Sequence, residues 1–258
     1  KGALQRKPNK PNKLMAITEK TLKVLVLCSG TGSVEEALSK MFHQKVSCTS
    51  VDIQSKFNPT LCTDVTSWDY KSAFNKKHFD IVWASPDCSQ YSSANTSKEK
   101  DLEAADDLAL SCLEIIKYLE PRVWIIENSD GNLKRRAFME GWNDYITTCS
   151  YCCYGFPYRK HTNIWSNLSL ELKKCSKDSP CKYMVDAMSL RKAGEHQPLH
   201  PAVAQHGPST DPFQIPMDKE TLYRIPYGLI KRLLGQTGRD ILSETFDTTN
   251  SLKEVNDT

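Results

Sequence analysis

The sequence predicts an α/β fold: a doubly wound, mostly parallel, Rossmann-like sheet with an antiparallel edge hairpin and a small irregular second segment. Three observations predict it. Short continuous apolar runs have strand length, helical three-and-four patterns lie between them, and the links are short. Leu22 to Cys28 is the first strand, Ser29-Gly30-Thr31-Gly32 a glycine turn, and Val34 to Phe42 the helix that follows. Val46 to Asp52 is the second strand and ends in an acid; Pro59 to Thr63 is strand-like, and Trp68 to Asn75 a short helix. Phe79 to Ala84 is a buried strand. From Asp101 to Leu119, apolar residues recur at Ala105, Leu108, Ala109, Cys112, Leu113, Ile116 and Leu119, with acids in the first turns and Pro121 just beyond the end. Val123 to Ile126 is a strand covered on both faces.

After residue 148 the pattern changes. Cys149 to Tyr154 and Asn163 to Ser166 read as two strands joined by a turn, an antiparallel edge added to a parallel sheet. The spacing of Leu222, Tyr223, Ile225, Leu229, Ile230, Leu233 and Leu234 predicts a helix over Leu222–Leu234 that packs back on the core. The chain therefore divides into a basic, flexible arm (1–20), a main domain (21–166), a small irregular segment (167–220), a returning helix (221–245) and a tail (246–258).

Composition narrows the function. A hydrophobic fraction of 39% with 25% charged residues belongs to a soluble globular protein. No apolar run approaches the ~20 residues of a membrane span, and the start, Lys1 to Lys7, has no signal-type apolar region. The expectation is an intracellular protein, cytoplasmic or nuclear, without membrane contact. A net charge of only +3 gives no global case for nucleic acid, so any basic surface must be local. Candidates are the arm Lys7-Pro8-Asn9-Lys10-Pro11-Asn12-Lys13, which reads first as a solvated tail, and the lysines Lys173, Lys174, Lys177 and Lys182, equally readable as a solvated face.

Ten cysteines in such a chain read as reduced thiols or metal ligands before a disulfide framework. Cys28, Cys48 and Cys112 sit in apolar patterns as small buried hydrophobes. The residues assign no metal. Cys175 and Cys181 with His196, His200 or His206 form one four-ligand alternative, at spacings that match no standard zinc motif.

Chemistry concentrates at strand ends. Cys88, in Ala84-Ser85-Pro86-Asp87-Cys88-Ser89-Gln90-Tyr91-Ser92, follows a buried strand, the place where open α/β sheets react their ligands. Ile126-Glu127-Asn128 ends another, with a helix cap as the structural alternative. The glycine turn lets backbone approach a ligand at a helix N-terminus. Asp52 lies about 20 residues on, where an acid can accept ribose hydroxyls, or cap a turn. Asp64 can reach an adenine amine, or cap the next helix. Glu35 stands where a dinucleotide fingerprint has its third glycine, so a nucleoside cofactor without a pyrophosphate fits better.

These elements together resemble the cytosine-5 DNA methyltransferases, S-adenosylmethionine-dependent enzymes of the class I methyltransferase fold. Leu27-Cys28-Ser29-Gly30-Thr31-Gly32-Ser33 resembles that family's F-S-G-x-G-G loop, Ser85-Pro86-Asp87-Cys88 its P-P-C loop, Ile126-Glu127-Asn128-Ser129 its E-N-V element, and Tyr154 to Lys160 its Y-G-x-P-Q-x-R element. The four stand in the family's order over residues 22–165. The resemblance implies Cys88 as the nucleophile attacking cytosine C6, Glu127 as the acid at N3, Asn128 as the brace of the Cys88 loop, and Arg159 or Lys160 near the base and the thiol. For S-adenosyl-L-methionine it implies Ser29, Gly30, Thr31, Gly32, Ser33, Asp52, Ile53, Asp64, Val65 and Pro86. The partner implied is DNA. RNA methylation by the same site and a catalytically impaired nucleic-acid-binding scaffold are the alternatives; no protein partner is inferable.

Four departures separate the chain from the pattern. Asp87 replaces the second proline and sets a negative charge beside the thiol, Val26 replaces a common acid, Thr162 replaces the last arginine, and residues 167–220 replace the usual target-recognition domain. The resemblance is thus to a compact, divergent, phage- or virus-like branch.

Overall fold

The computed structural model describes residues 20–92, 100–204 and 211–244. The arm, apart from Lys20, the tail and His206 lie outside the described residues. Seven strands form one sheet: β1 (Leu22–Leu27), β2 (Val46–Asp52), β3 (Leu61–Cys62), β4 (Ile81–Ala84), β5 (Val123–Ser129), β6 (Ile146–Ser150) and β7 (His161–Ser166). Their order is β3-β2-β1-β4-β5-β7-β6. All neighbours are parallel except β7, which runs antiparallel to both β5 and β6. The predicted doubly wound sheet with an antiparallel edge is therefore the observed one.

The helices are α1 (Ser33–Phe42), α2 (Tyr70–Ala73), α3 (Leu102–Leu119), α4 (Lys182–Lys192), α5 (Lys219–Tyr223) and α6 (Tyr227–Leu242). Alternation along the strands separates two cores. Val24, Val26, Ile81, Trp83 and Ile125 pack with Val34 and Leu38 of α1 and Leu229, Ile230 and Leu233 of α6. Leu25, Leu27, Val82, Ala84, Trp124 and Ile126 pack on the other face with Ala109, Cys112, Leu113 and Ile116 of α3. Helix α3 starts where expected because the Asp101 carboxylate caps it, accepting from Ala104 N.

Three boundaries differ from the sequence reading. The edge hairpin pairs Ile146–Ser150 with His161–Ser166, and Tyr151–Tyr154 leaves the sheet as a single tight helical turn. The predicted 222–234 helix is two helices, because Pro226 cannot continue one: α5 ends at Tyr223 and α6 begins after Pro226. The stretch read as irregular contains α4, whose buried side chains are only Met184 and Ala187. A helix with two buried positions leaves almost no apolar periodicity in the sequence.

The order of strands fixes where a ligand sits. Strand β1 pairs with β2 on one side and β4 on the other, so the chain reverses its winding between β1 and β4. The loop leaving β4 is tied to the end of β1 by Ser85 N donating to Leu27 O at 3.1 Å, and the loop leaving β1 is tied to the end of β2 by Ser29 N donating to Val51 O at 3.1 Å. Ala84 is in register with Ile126, which sets the end of β5 against the loop carrying Cys88.

Candidate active site

The loop after β1 is shaped by residues with positive φ: Cys28 (55°), Gly30 (50°) and Gly32 (70°). An added Cβ at Gly30 or Gly32 would meet no atom within 4 Å, so glycine serves the left-handed backbone and the loop faces open space. Gly32 caps α1 without a side chain. Ser29 O accepts from Gly32 N, Thr31 Oγ1 and Ser33 Oγ lie 3.0 Å apart, and Ser33 Oγ accepts from Ile225 N. Asp52, at the end of β2, is buried, and its two oxygens accept from Gly30 N and Gln54 N, each at 2.8 Å. This carboxylate ties the glycine loop to β2. Ile53, the next residue, is 63% exposed, an apolar side chain left beside the loop.

Other residues of the expected cofactor set sit differently. Asp64 Oδ1 accepts from the N–H and hydroxyl of Thr66, so one carboxylate oxygen caps the local turn. Val65 is 4% exposed and packs into the core on the α3 face, which directs its side chain away from solvent. Pro86 is buried, and its carbonyl accepts from Asn128 Nδ2 at 2.9 Å.

Cys88 is half-buried in a turn whose Tyr91 and Ser92 N–H groups both donate to its carbonyl. Tyr91 anchors that turn: it is fully buried, and its hydroxyl donates to Asp106 of α3 at 2.8 Å, a carboxylate that also pairs with Arg136. Asp87 is exposed, and its carboxylate accepts from Ser89 N and Ser89 Oγ, capping the turn. Burial pushes the Cys88 thiol above its ordinary pKa. The Lys160 ammonium is the strongest charge acting on it and pulls it back down; Glu127 and then Asp87 push it up, and the Ser129 hydroxyl pulls it down. The cation needed to offset Asp87 is therefore supplied by Lys160. Arg159 is exposed, and its charge bears on His161 and His200.

Glu127 is 7% exposed at the end of β5, and its Oε1 accepts from the Tyr151 hydroxyl at 2.8 Å. Tyr151 was not singled out by the sequence. It is fully buried, and its N–H donates to Lys160 O at 2.9 Å while the Lys160 ammonium lies 4.9 Å from its ring centroid. Thr162 is fully buried in β7, opposite Ser129 of β5 and Cys149 of β6. Among the described residues Asn128 Oδ1 is buried without a hydrogen-bond partner, and the Thr162 hydroxyl bears on Tyr151. Cys88, Glu127, Asn128, Lys160 and Tyr151 thus form one group, a thiol, an acid and a cation on adjoining strand ends.

Of the histidines and cysteines weighed as ligands, Cys175, Cys181 and His200 gather with Cys152, all buried, their ligand atoms within 4.8 Å of one another. His196 is a correction. Its Nε2 lies 3.4 Å from Asp211 Oδ1 and its ring stacks on Phe213, which leaves it at the surface and out of the cluster.

The described helices include none long and apolar enough to cross a membrane. The family model for C-5 cytosine-specific DNA methylases matches residues 24–159. A protein of frog virus 3 (isolate Goorha), named "Probable DNA (cytosine-5)-methyltransferase", is 33% identical over 178 residues, which are 63% of this chain and 79% of the viral protein. Among solved structures, S. pombe Dnmt2 methyltransferase aligns at 18% identity with a TM-score of 0.45, covering 64% of this chain and 60% of that one. A Spodoptera frugiperda DNMT2 mutant aligns at 17% identity with a TM-score of 0.42, covering 61% of this chain and 54% of that one. The chain thus spans little more than half the length of these solved structures. The match over 24–159 starts in β1 and ends beside Lys160, and so takes in the glycine loop, the Cys88 loop, Glu127 and Tyr151 across more than half of the 258 residues: the chain belongs to the C-5 cytosine-specific DNA methylase family.

Proposed function

We propose that the chain is a DNA cytosine-5 methyltransferase that works through a covalent bond between Cys88 and cytosine C6. The observation that carries the reading is the geometry at the ends of β4 and β5: the Cys88 loop is tied to β5 by Asn128 Nδ2 donating to Pro86 O at 2.9 Å, and the neighbouring Glu127 accepts from Tyr151 at 2.8 Å, whose ring lies 4.9 Å from the Lys160 ammonium. The methyl donor is S-adenosyl-L-methionine. The site fits it: a glycine loop with open space over Gly30 and Gly32, an acid at the end of β2, and the exposed apolar Ile53 beside it. Ser29 to Ser33, Asp52 and Ile53 would hold it, with Asp64 and Pro86 at the margins. When bound, this donor supplies an electrophilic methyl group on a sulfonium.

Cytosine C5 is a weak nucleophile until a group adds at C6. Lys160 stabilises the Cys88 thiolate, whose electron pair forms the S–C6 bond. The negative charge pushed into the ring reaches N3, where Glu127 donates a proton. C5 is then enamine-like and takes the methyl. Loss of the C5 proton to water, return of the N3 proton to Glu127 and departure of the Cys88 sulfur with the S–C6 electron pair restore the aromatic ring and the thiolate. Asn128, through Pro86 O, fixes the loop on which the sulfur rides. A base inside a duplex has to be flipped out to reach this group, at a cost of a few kcal/mol. DNA places the enzyme inside a cell or organelle that holds DNA.

Methyl transfer from labelled S-adenosylmethionine to duplex DNA, with an RNA of the same sequence in parallel, tests the proposal. Label in DNA that Cys88→Ser abolishes supports it. Label in RNA alone would move the substrate to RNA, and cofactor binding without transfer to either would leave the scaffold alternative.

A further inference from the structure

Residues 173–200 have little apolar material with which to hold a shape. Helix α4 buries two side chains, and the third apolar cluster of the protein consists of Cys152, Cys175, Cys181 and Met184 with partly buried Cys153, Tyr183 and Leu199 at its edge. Three of its members, Cys152, Cys175 and Cys181, carry ligand atoms, and His200 joins them. Cys152 lies in the tight turn after β6, Cys175 in the following stretch, Cys181 at the N-cap of α4 and His200 beyond α4, so three separate pieces of chain meet at one point.

We propose that Cys152, Cys175, Cys181 and His200 bind one structural zinc ion. The geometry supports it on several edges. In a tetrahedral site with Zn–S near 2.3 Å, neighbouring ligand atoms lie about 3.8 Å apart. His200 Nε2 is 3.4 Å from Cys181 Sγ and 3.7 Å from Cys175 Sγ, and all four ligand atoms lie within 4.8 Å of one another. Three thiols and one imidazole with no carboxylate select zinc over magnesium, calcium or manganese, and four buried protein ligands leave no open position for chemistry. Backbone groups already serve the sulfurs: Cys181 N–H points at Cys175 Sγ at 3.5 Å, and Met184 N–H acts on Cys181 Sγ, donors that stabilise bound thiolates. Binding releases three thiol protons to solvent and leaves the occupied site with one negative charge.

The ion would staple the segment to the sheet edge next to the proposed active site. Cys152 follows Tyr151 directly, Cys175 N donates to Ser150 Oγ, and Ala202, two residues after His200, donates to Pro157 O just before Lys160. The zinc inference does not depend on the methyl-transfer reading, since metal content is measured without any substrate.

The full chain, purified under reducing conditions, should carry one zinc per chain by plasma mass spectrometry. Cobalt(II) reconstitution should give thiolate charge-transfer and tetrahedral ligand-field bands, and a chelator should lower the melting temperature. Cys175→Ser and Cys181→Ser should each lose the metal. His200→Cys, which restores four ligands, should keep it, and Cys62→Ser, exposed and outside the cluster, should leave it unchanged. Because a cysteine variant can fail to fold, the cobalt spectrum of the unsubstituted chain carries the test. Reduced, folded protein that takes up neither zinc nor cobalt, full metal content in folded Cys175→Ser, or a native mass showing a disulfide among the three cysteines would overturn the proposal.

Discussion

Removing one oxygen, in Tyr151→Phe, isolates the support that the tyrosine hydroxyl gives Glu127. The hydroxyl sits 2.8 Å from Glu127 Oε1, with tyrosine fully buried and the acid 7% exposed, so water cannot replace the lost donor. A hydrogen bond to a charged group in such surroundings is worth about 1.5–3 kcal/mol. If that whole cost falls on the transition state, kcat/KM drops roughly 10- to 150-fold. Packing should survive, because the ring keeps its edge contact with Phe156, 5.8 Å between centroids, and its place under Lys160. Single-turnover methyl transfer measures the loss, and calorimetry with S-adenosylmethionine should give an unchanged affinity, since the hydroxyl removed donates to Glu127 at the end of β5. A kcat/KM within twofold of the unsubstituted chain would refute the assignment of Tyr151 as the residue positioning Glu127.

Three further changes probe the other parts. Lys160→Met removes the strongest charge lowering the Cys88 pKa; the thiol pKa then rises, the reactive thiolate forms only at higher pH, and the acid limb of the pH–kcat/KM profile should move to higher pH. An unmoved limb would remove Lys160 from the activation of the thiol. Asp52→Asn sets an amide N–H against one of two backbone N–H donors, Gly30 or Gln54, and should weaken cofactor binding about tenfold or more by calorimetry; unchanged affinity would mean the loop needs no such tie. Gly131→Ala drives a Cβ to 2.5 Å from the Tyr91 carbonyl, in the turn that carries Cys88, and should cost about 1–3 kcal/mol in denaturant unfolding along with activity.

Much of the fold is visible in the sequence for a simple reason. Strands β1, β4 and β5 are buried along almost their whole length and read as apolar runs, and α3 has a full apolar stripe. Cys88 and Glu127 stand out because each ends such a run. Tyr151 does not, because it lies in Tyr151-Cys152-Cys153-Tyr154, which continues the apolar pattern of β6 while the backbone turns out of the sheet and aims the ring at β5. Helix α4 escaped notice because its position rests on Met184, Ala187 and the cysteine cluster instead of an apolar face. His196 and His200 are equivalent in sequence; only the fold, which stacks one on Phe213 and buries the other against two sulfurs, tells them apart. Pro86 and Asn128 lie in separate sequence elements, and the hydrogen bond joining them exists only because β4 and β5 are neighbours.

The central claim is that the Cys88 sulfur bonds to the carbon of a flipped cytosine. Mass spectrometry of the chain incubated with S-adenosylmethionine and a duplex carrying 5-fluorocytosine tests it most directly, because fluorine cannot leave as a proton and the adduct cannot resolve. The account predicts a protein–DNA adduct mapped to the peptide containing Cys88, absent in Cys88→Ser. An adduct on another cysteine, or none while methyl transfer to ordinary DNA proceeds, would contradict it.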